Sequence, residues 1–507
     1  MPGTWRKTPA RSASRSSRLR SRKSTPPSRS GPGAIFRCSR RWAIPGAALL
    51  LAGCSVGPDY HRPEVVVPAA YGWKIAEPRD AEIKGEWWKA FHDPVLDGLE
   101  TQAQAANQNL SGAFARFEQA RSIARLTSAD FLPRVTAAPS VMRFRTPPTT
   151  VPPEFTATVI TTPLDLSYEI DLWGRVRRSF EAAQAEAQAG ASEYANVLLG
   201  LTGDVAGDYF LLRQLDAATD ILNRTIALRE KAVNITRQRF HAGLSPELDF
   251  NRAQTELAQT HIDLADTVRR RADLQDALAL LCGQISTQFK IAPAPPPAAI
   301  PPVPLGLPSD LLERRPDVAE AERRMAAANA RIGVAYAAFF PAISLTGSAG
   351  YSSFTAGTLL NWESRLFEIG PSISLPLLNG GRTEAGVQEA RAGYNAACAD
   401  YRQEVLTAFR DVSDAVNDLD GYAREADAEK EALAAANESF TLAQRSYNNG
   451  LSNYLEVVDA ERTALQIQLE AAQILAQRQV ATVHLIKALG GGFDTPKTGY
   501  LGPAGPL

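Results

Sequence analysis

"LDLSYEIDLWGRVRRSFEAAQAEAQAG", Leu164–Gly190, changes period halfway. In its first nine residues Leu164, Leu166, Tyr168, Ile170 and Leu172 alternate with Asp165, Ser167, Glu169 and Asp171. Successive side chains of a strand point to opposite faces, so this stretch predicts a strand with one apolar and one charged face. After Gly174–Arg175 the alternation stops and an Ala/Gln/Glu-rich run of good helix formers begins. Charge on one face and apolar groups on the other suit a membrane β-barrel. A soluble half-buried sheet alternates in the same way. The stretch by itself leaves both open.

The chain says nearly the same thing twice. "GLSPELDF" at Gly243 returns as "GLSNYLEV" at Gly450, 207 residues later. "ADFLPRVTAAPSV" (Ala129–Val141) returns as "AAFFPAISLTGSA" (Ala337–Ala349), and Gly174–Arg175 as Gly381–Arg382. The halves meet at a proline-rich connector, Ala292–Pro308, which favours an extended chain. A long fixed period with one connector predicts a duplicated unit. Each unit reads as a helix (Pro94–Asp130 or Ser309–Phe339), a proline break at Pro133 or Pro341, and two alternating segments. A very long helix follows, about Arg175–Phe240 or Arg382–Tyr447, then a Gly-containing turn and a last helix to about Leu281 or Leu489. Sixty-five helical residues at about 1.5 Å rise span roughly 100 Å, much longer than a globular helix.

The last helix carries a seam of period 3.5. Leu455, Val458, Arg462, Leu465, Leu469, Ala472, Ala476, Gln479, Val483 and Ile486 lie on it, and eight of the ten are apolar. The second unit repeats the strand signal: Phe367, Ile369, Ile373, Leu375 and Leu377 oppose Glu368, Ser372 and Ser374, while Ile343, Leu345 and Tyr351 oppose Ser344, Thr346 and Ser348. Arg145–Phe155 and Ser352–Trp362 are the expected hairpin loops. That gives four strands per chain. About eight make the smallest barrel that fills its interior, and an open edge cannot face lipid. In a membrane the chain must therefore associate, as two copies with eight strands or three with twelve.

The N-terminus reads as an export signal. Residues 1–42 hold twelve Lys or Arg and no acid, leaving 42 basic and 55 acidic groups in residues 43–507. An acidic body argues against nucleic acid as a partner. The apolar run Ala43–Gly53 is eleven residues, short of the roughly 20 a spanning helix needs, and suits a signal h-region. It ends in "LAGC", a lipoprotein-type cleavage site that makes Cys54 the lipid-bearing N-terminus. Cys282 and Cys398, in Ala-rich helical contexts, read as small buried hydrophobes.

With "CSVGPDYHRP" (Cys54–Pro63), "WWKAFHDPVLDGL" (Trp87–Leu99) and "LLERRPDVAEAERRMAAANARIGVAYAAFFPAISL" (Leu311–Leu345), the chain resembles the outer membrane factor family over roughly Cys54–Gly491. These are the TolC-like exit ducts of tripartite efflux pumps. Within the family it resembles the lipoproteins that work with resistance-nodulation-division pumps. The resemblance implies a mainly α fold with a membrane β-barrel. A homotrimeric duct would take four β-strands per chain into a twelve-stranded barrel, and coiled-coil-like helices into a periplasmic α-barrel. It divides the chain into 1–53 (basic arm and signal), 54–93 (lipid-anchored segment), 94–291 (first repeat), 292–308 (connector), 309–491 (second repeat) and 492–507 (tail). Ser55 after the lipid cysteine suits outer-membrane sorting.

The resemblance also explains the doubled phrase, since both copies would be periplasmic turns. "YNNGLSNYLEVVDAERTAL" (Tyr447–Leu465) matches the family's gate motif at Tyr447, Gly450, Leu451, Leu455, Val457, Asp459 and Ala460. Glu456 stands where some members carry Asp, and Asp249 is its counterpart in the first unit. Ser452 stands where some members have an arginine that ties the gate. Three copies of Asp459 around an axis would form a negative ring that attracts cations and discourages anions. Opening would swing Tyr447–Ala464 away from Asp249's helix pair, with a periplasmic adaptor docking on the tips as trigger. The bland reading of Glu456 and Asp459 is an exposed helix face near an N-terminus, where the dipole favours acids.

Enzyme readings find no support. The five histidines (His61, His92, His241, His261, His484) lack metal-ligand spacing, and there is no Cys-x-x-Cys, Gly-x-Ser-x-Gly or phosphate loop. No cofactor is expected beyond the lipid on Cys54. Two alternatives remain: a duct for type I protein secretion, and a lipid-anchored periplasmic helical scaffold without a pore.

Overall fold

The computed structural model describes residues 55–62, 85–147, 149, 154–297, 300–303 and 315–491. Among them, seven helices run α1 (Pro94–Ala106), α2 (Gln108–Ser128), α3 (Arg175–His241), α4 (Glu247–Leu281), α5 (Pro316–Ala337), α6 (Arg382–Asn448) and α7 (Tyr454–Ala488). Five strand segments are β1 (Arg134–Ala137), β2 (Ser140–Thr146), β3 (Phe155–Glu169), β4 (Ala342–Ser353) and β5 (Arg365–Ser374). The duplication is visible in the backbone. Helices α3 and α6 both have 67 residues, α4 and α7 both have 35, and each pair starts 207 residues apart. At about 1.5 Å per residue α3 and α6 each extend roughly 100 Å.

The same caps recur. Gly243 (φ +70°) and Gly450 (φ +71°) end the long helices in the left-handed region, where a residue without Cβ is favoured. Leu244 N–H returns to Arg239 C=O at 2.8 Å and Leu451 N–H to Ser446 C=O at 2.9 Å, a Schellman closure in both repeats. The turn places α4 against α3 and α7 against α6.

The strands form one antiparallel sheet in which β1 and β2 both pair with β3, then β4, then β5. β1 and β2 keep one register along β3 (Ala137 opposite Leu164, Ser140 opposite Thr161), so they are one strand interrupted at Ala138–Pro139. Two prolines cause the break: Pro139, and Pro163 opposite Ala138, lack the N–H a ladder needs, and only Ala138 N–H reaches Pro163 C=O, at 3.2 Å. On the other side of β3, Pro163 faces Gly350, where any Cβ would collide with Thr162 C=O. The four expected strands are present.

The largest core surrounds the first repeat. Trp87, Trp88 and Phe91 pack with Leu96, Leu99, Tyr209, Phe210, Leu278 and Cys282, and Phe91 meets Phe210 with centroids 4.7 Å apart. Burying each large apolar side chain contributes roughly 1.5–3 kcal/mol. Trp87 and Trp88 are therefore packing anchors, and Cys282 and Cys398 are buried in separate apolar clusters. Arg213 and Arg271 hold Asp216 and also donate to the Ala292 and Ile291 carbonyls, which ties the start of the connector to α3 and α4.

Two expectations need correction. The helix expected over Pro94–Asp130 is broken at Asn107, whose extended backbone lets its side chain cap α2 at Leu110 N–H while its amide donates to Leu281 C=O. The seam on α7 holds from Ala476 to Ile486, but near the turn the buried positions are Tyr454, Val457, Val458, Glu461 and Ala464. Leu455 is left 38% exposed, and Arg462 is exposed.

Candidate functional site

The register settles which side chains share a face of the sheet. Val135, Leu166, Gly347 and Ile369 lie in one row, and Ala137, Leu164, Ala349 and Phe367 in another. The opposite face carries Thr136, Asp165, Ser348 and Glu368, then Arg134, Ser167 and Thr346. Ser348 Oγ donates to Asp165 at 2.7 Å on that polar face. A soluble half-buried sheet would cover its apolar face, yet Phe367 is 75% and Ile373 68% exposed. The interrupted first strand and β5 form the two edges, with no further strand beside them among the described residues. β3 alone, with 15 residues, extends about 50 Å along its axis. Tilted at about 45° it still crosses a hydrocarbon layer of about 30 Å. Aromatic rings gather at both ends. Phe144, Phe155 and Phe354 meet at the loop end, and Trp173–Phe340 and Phe131–Phe180 at the helix end, as in interfacial girdles.

The strand-to-helix junction is built by the residues at which the sequence changes period. Asp171 caps α3 by accepting from Val176 and Arg177 N–H, Arg175 forks onto Glu169, and Trp173 Nε1 donates to Pro341 C=O at 2.8 Å. The N-terminal segment begins at this same junction. Ser55 sits against Gly174, where a Cβ would come 2.7 Å from it, and Val56 N–H donates to Trp173 C=O. The segment then runs along α3, α5 and α6: Asn329 donates to Pro58 C=O, Arg178 pairs with Asp59, Tyr60 donates to Glu322 and Arg62 to Tyr401. Burial and the Glu322 carboxylate push the Tyr60 phenol up. Cys54 lies outside the described residues.

At the turns, Tyr447 is buried with Val233, Ala253, Tyr454, Val457 and Val458. Its ring meets Tyr454 at 5.4 Å, and the Arg239 guanidinium stands 4.5 Å from its centroid. The Tyr447 hydroxyl and the Ser245 and Ser452 hydroxyls, at equivalent places in the two turns, are buried without a hydrogen-bond partner. Glu456 and Asp459 are exposed and Asp249 is half-exposed; among the described residues none of the three carboxylates forms an ion pair. Asn453 caps α7 by accepting from Glu456 N–H. The chain thus joins Tyr447 to the α3–α4–α7 packing and leaves the carboxylates facing outward.

Sequence reasoning missed a buried charge cluster beyond the turn. Arg229 donates to Glu461 (3.0 Å), to the Glu256 carbonyl (2.7 Å) and to Thr260 (2.6 Å), and pairs with the Glu256 carboxylate at 3.3 Å. Arg462 Nε donates to Glu256 from the other side at 3.0 Å. Burial raises the Glu461 carboxyl and Arg229 pulls it back. The one trace in the sequence is a break in the repeat: the counterparts of Arg229, Glu256, Glu461 and Arg462 are Ala436, Thr463, Gln254 and Thr255. No helix among the described residues is long and apolar enough to cross a membrane.

Comparison with known proteins agrees with this geometry. The chain matches the family described as Outer membrane efflux protein over residues 99–284 and 307–491. It is 33% identical over 453 residues to outer membrane protein OprJ of Pseudomonas aeruginosa, covering 88% of this chain and 95% of that protein. It is 33% identical over 462 residues to the toluene efflux pump outer membrane protein TtgI of Pseudomonas putida, covering 88% and 97%. The solved outer-membrane channel OprN superposes with a TM-score of 0.82 at 30% identity, covering 87% of this chain and 99% of that one.

Proposed function

The chain belongs to the outer membrane efflux protein family, and from that premise we propose a mechanism for its own duct. It is the outer-membrane channel component of an efflux pump, not an enzyme, and it extends into the periplasm. Three copies close a twelve-stranded barrel, with Phe367, Ile369 and Leu164 toward lipid and Asp165, Ser348 and Glu368 toward the water-filled interior. The observation that carries this reading is the uncovered apolar face of a sheet with two open edges, which only closure with other copies can satisfy in lipid.

Cys54 carries the lipid. Its neighbour Ser55 stands at the strand-to-helix junction, the level of the inner leaflet, so acyl chains there would reach the bilayer. At the turns, Glu456 and Asp459 of three copies constrict the duct, Tyr447 holds the second helix pair to the first, and Asp249 is the counterpart of Glu456 on α4. A periplasmic adaptor and an inner-membrane resistance-nodulation-division pump deliver the cargo. Small apolar molecules of the kind named for TtgI are a reasonable class.

The test is single-channel recording of the purified trimer. Asp459→Ala with Glu456→Ala should raise resting conductance and weaken block by Mg2+ several-fold, because the cation loses its carboxylate ring. Traces like those of the unaltered protein would move the constriction elsewhere. A compact monomer in detergent would remove the barrel itself.

A further inference from the structure

We propose that the buried Arg229–Glu256–Glu461 cluster, closed from the surface by Arg462, is a fulcrum that pins α7 to α3 and α4, and so positions the gate carboxylates and sets where the moving part of the second helix pair ends. The inference rests on the gate reading above and adds to it the residues that hold the gate in place.

Two kinds of contact succeed one another along α7. From Tyr454 to Val458 it touches α3, α4 and the end of α6 through apolar groups and aromatic rings: Val233, Ala253, Tyr447, Tyr454, Val457 and Val458, with Phe250 at the margin. Such contacts are non-directional, and helices can slide or tilt over them at modest cost. At Glu461 the character changes. The Arg229 side chain is 4% exposed, and its donors reach α7 at Glu461 and α4 at Glu256 and Thr260. Glu256, with its side chain 7% exposed, is held by Arg229 on one side and Arg462 on the other. Two arginines and two glutamates from three helices leave no net charge. Removing Arg229 or Glu461 strands another charge in the interior, which is the costly case for a buried pair, whereas Arg462 reaches Glu256 from the solvent side. Displacing α7 here must break directional bonds that displacement at the turn does not.

Asp459 stands two residues before Glu461 and three before Arg462, within one helical turn. A rigid helix cannot rotate Asp459 without rotating both, so the cluster fixes the azimuth of the gate carboxylates. The cluster is also one-sided. Its counterparts are neutral, so α7 is bonded to the first repeat while the first repeat's own α4 has no such tie to α6. That asymmetry, seen among the described residues, makes α3 and α4 the fixed support and the Tyr447–Asp459 segment the lever.

The experiment compares the full-length trimer with Glu461→Gln, Arg229→Met and Arg229→Lys. It reads hydrogen exchange along α7, resting conductance in planar bilayers, and the Mg2+ concentration that halves it. Glu461→Gln and Arg229→Met should speed amide exchange over residues 454–464 by about tenfold or more and leave residues 476–488 as they were. Resting conductance should rise several-fold while the half-blocking Mg2+ concentration stays within about twofold, since the carboxylate ring is intact. Arg229→Lys keeps the charge with fewer donors and should fall between. Unchanged exchange over 454–464 in all three variants, in trimers that still form, would overturn the proposal. So would faster exchange spread evenly along α7, which means general loosening rather than a fulcrum. Failure of the gate carboxylates is seen separately, in the Mg2+ block of Asp459→Ala, because exchange reports the pinning without reference to conductance.

Discussion

Helices α3 and α6 are the same length and begin after equivalent glycines, yet α3 buries 26 of its residues within the chain and α6 only 11. Their charges differ as well: α3 has nine Lys or Arg against eight acids, and α6 has seven against thirteen. Duplication preserved the backbone and let the surfaces diverge. The first long helix became the spine of the protomer, wrapped by α1, α2, α4, α5 and α7. The second was left to present acidic and apolar faces to whatever lies outside one chain, which in a duct is the water-filled interior and the neighbouring copies.

That contrast can be broken most sharply at equivalent positions. Phe210, fully buried against Phe91, corresponds to exposed Asn417. Phe210→Ala should cost about 3–5 kcal/mol of stability through the cavity it leaves. Asn417→Ala should stay within about 0.5 kcal/mol. Denaturant midpoints of the two variants decide it, and equal losses would mean the repeats share a core after all.

The next effect separates the two faces of the sheet. Ile369→Arg puts a charge on the apolar face and should cost about 2–4 kcal/mol if that residue lies near the bilayer midplane. Ser348→Lys, on the polar face beside Asp165, should leave assembly near the unaltered level. Recovery of folded trimer from the outer-membrane fraction reads both. Equal tolerance would mean that lipid does not contact the apolar face.

A test in pH rather than side-chain size asks how dry the first repeat's core is compared with the solvated carboxylates of α6. Glu100 is fully buried and neither carboxylate oxygen has a hydrogen-bond partner; burial, with Asp97 nearby, pushes its pKa up to about 9. The folded chain then keeps a proton that the unfolded chain has lost above its ordinary pKa of about 4.5. The stability contribution is full below that value and falls by about 1.4 kcal/mol per pH unit as pH rises toward 9. Glu100→Gln should flatten this slope, which unfolding measured between pH 5 and 9 would show. An unchanged slope would assign it to other groups.

Much of the architecture was legible because it is local. Alternation at Leu164–Leu172, the glycines at the turns and the 207-residue echo each report a backbone requirement met by nearby residues. The break at Asn107 could have been read too, since an asparagine between two helical runs is a standard N-cap. Tyr447, Glu456 and Asp459 were reached through family resemblance; their residue types alone equally describe a solvated helix end. The Arg229 cluster left only the break in the repeat at its four positions, which marks a difference without saying that the groups meet. Its members sit on three helices up to 233 residues apart, and no periodicity relates them.

The sequence by itself determined the duplication, the long helices with their stops, and which strand residues alternate, because helix caps, turns and pleats depend on a few neighbours in the chain. Tertiary structure alone decided which apolar stripes stay uncovered and which charges meet in the interior. Both depend on register and helix phase between distant segments. A shift of one residue would turn every strand side chain to the other face, and a turn of a third of a helix would separate Arg229 from Glu461.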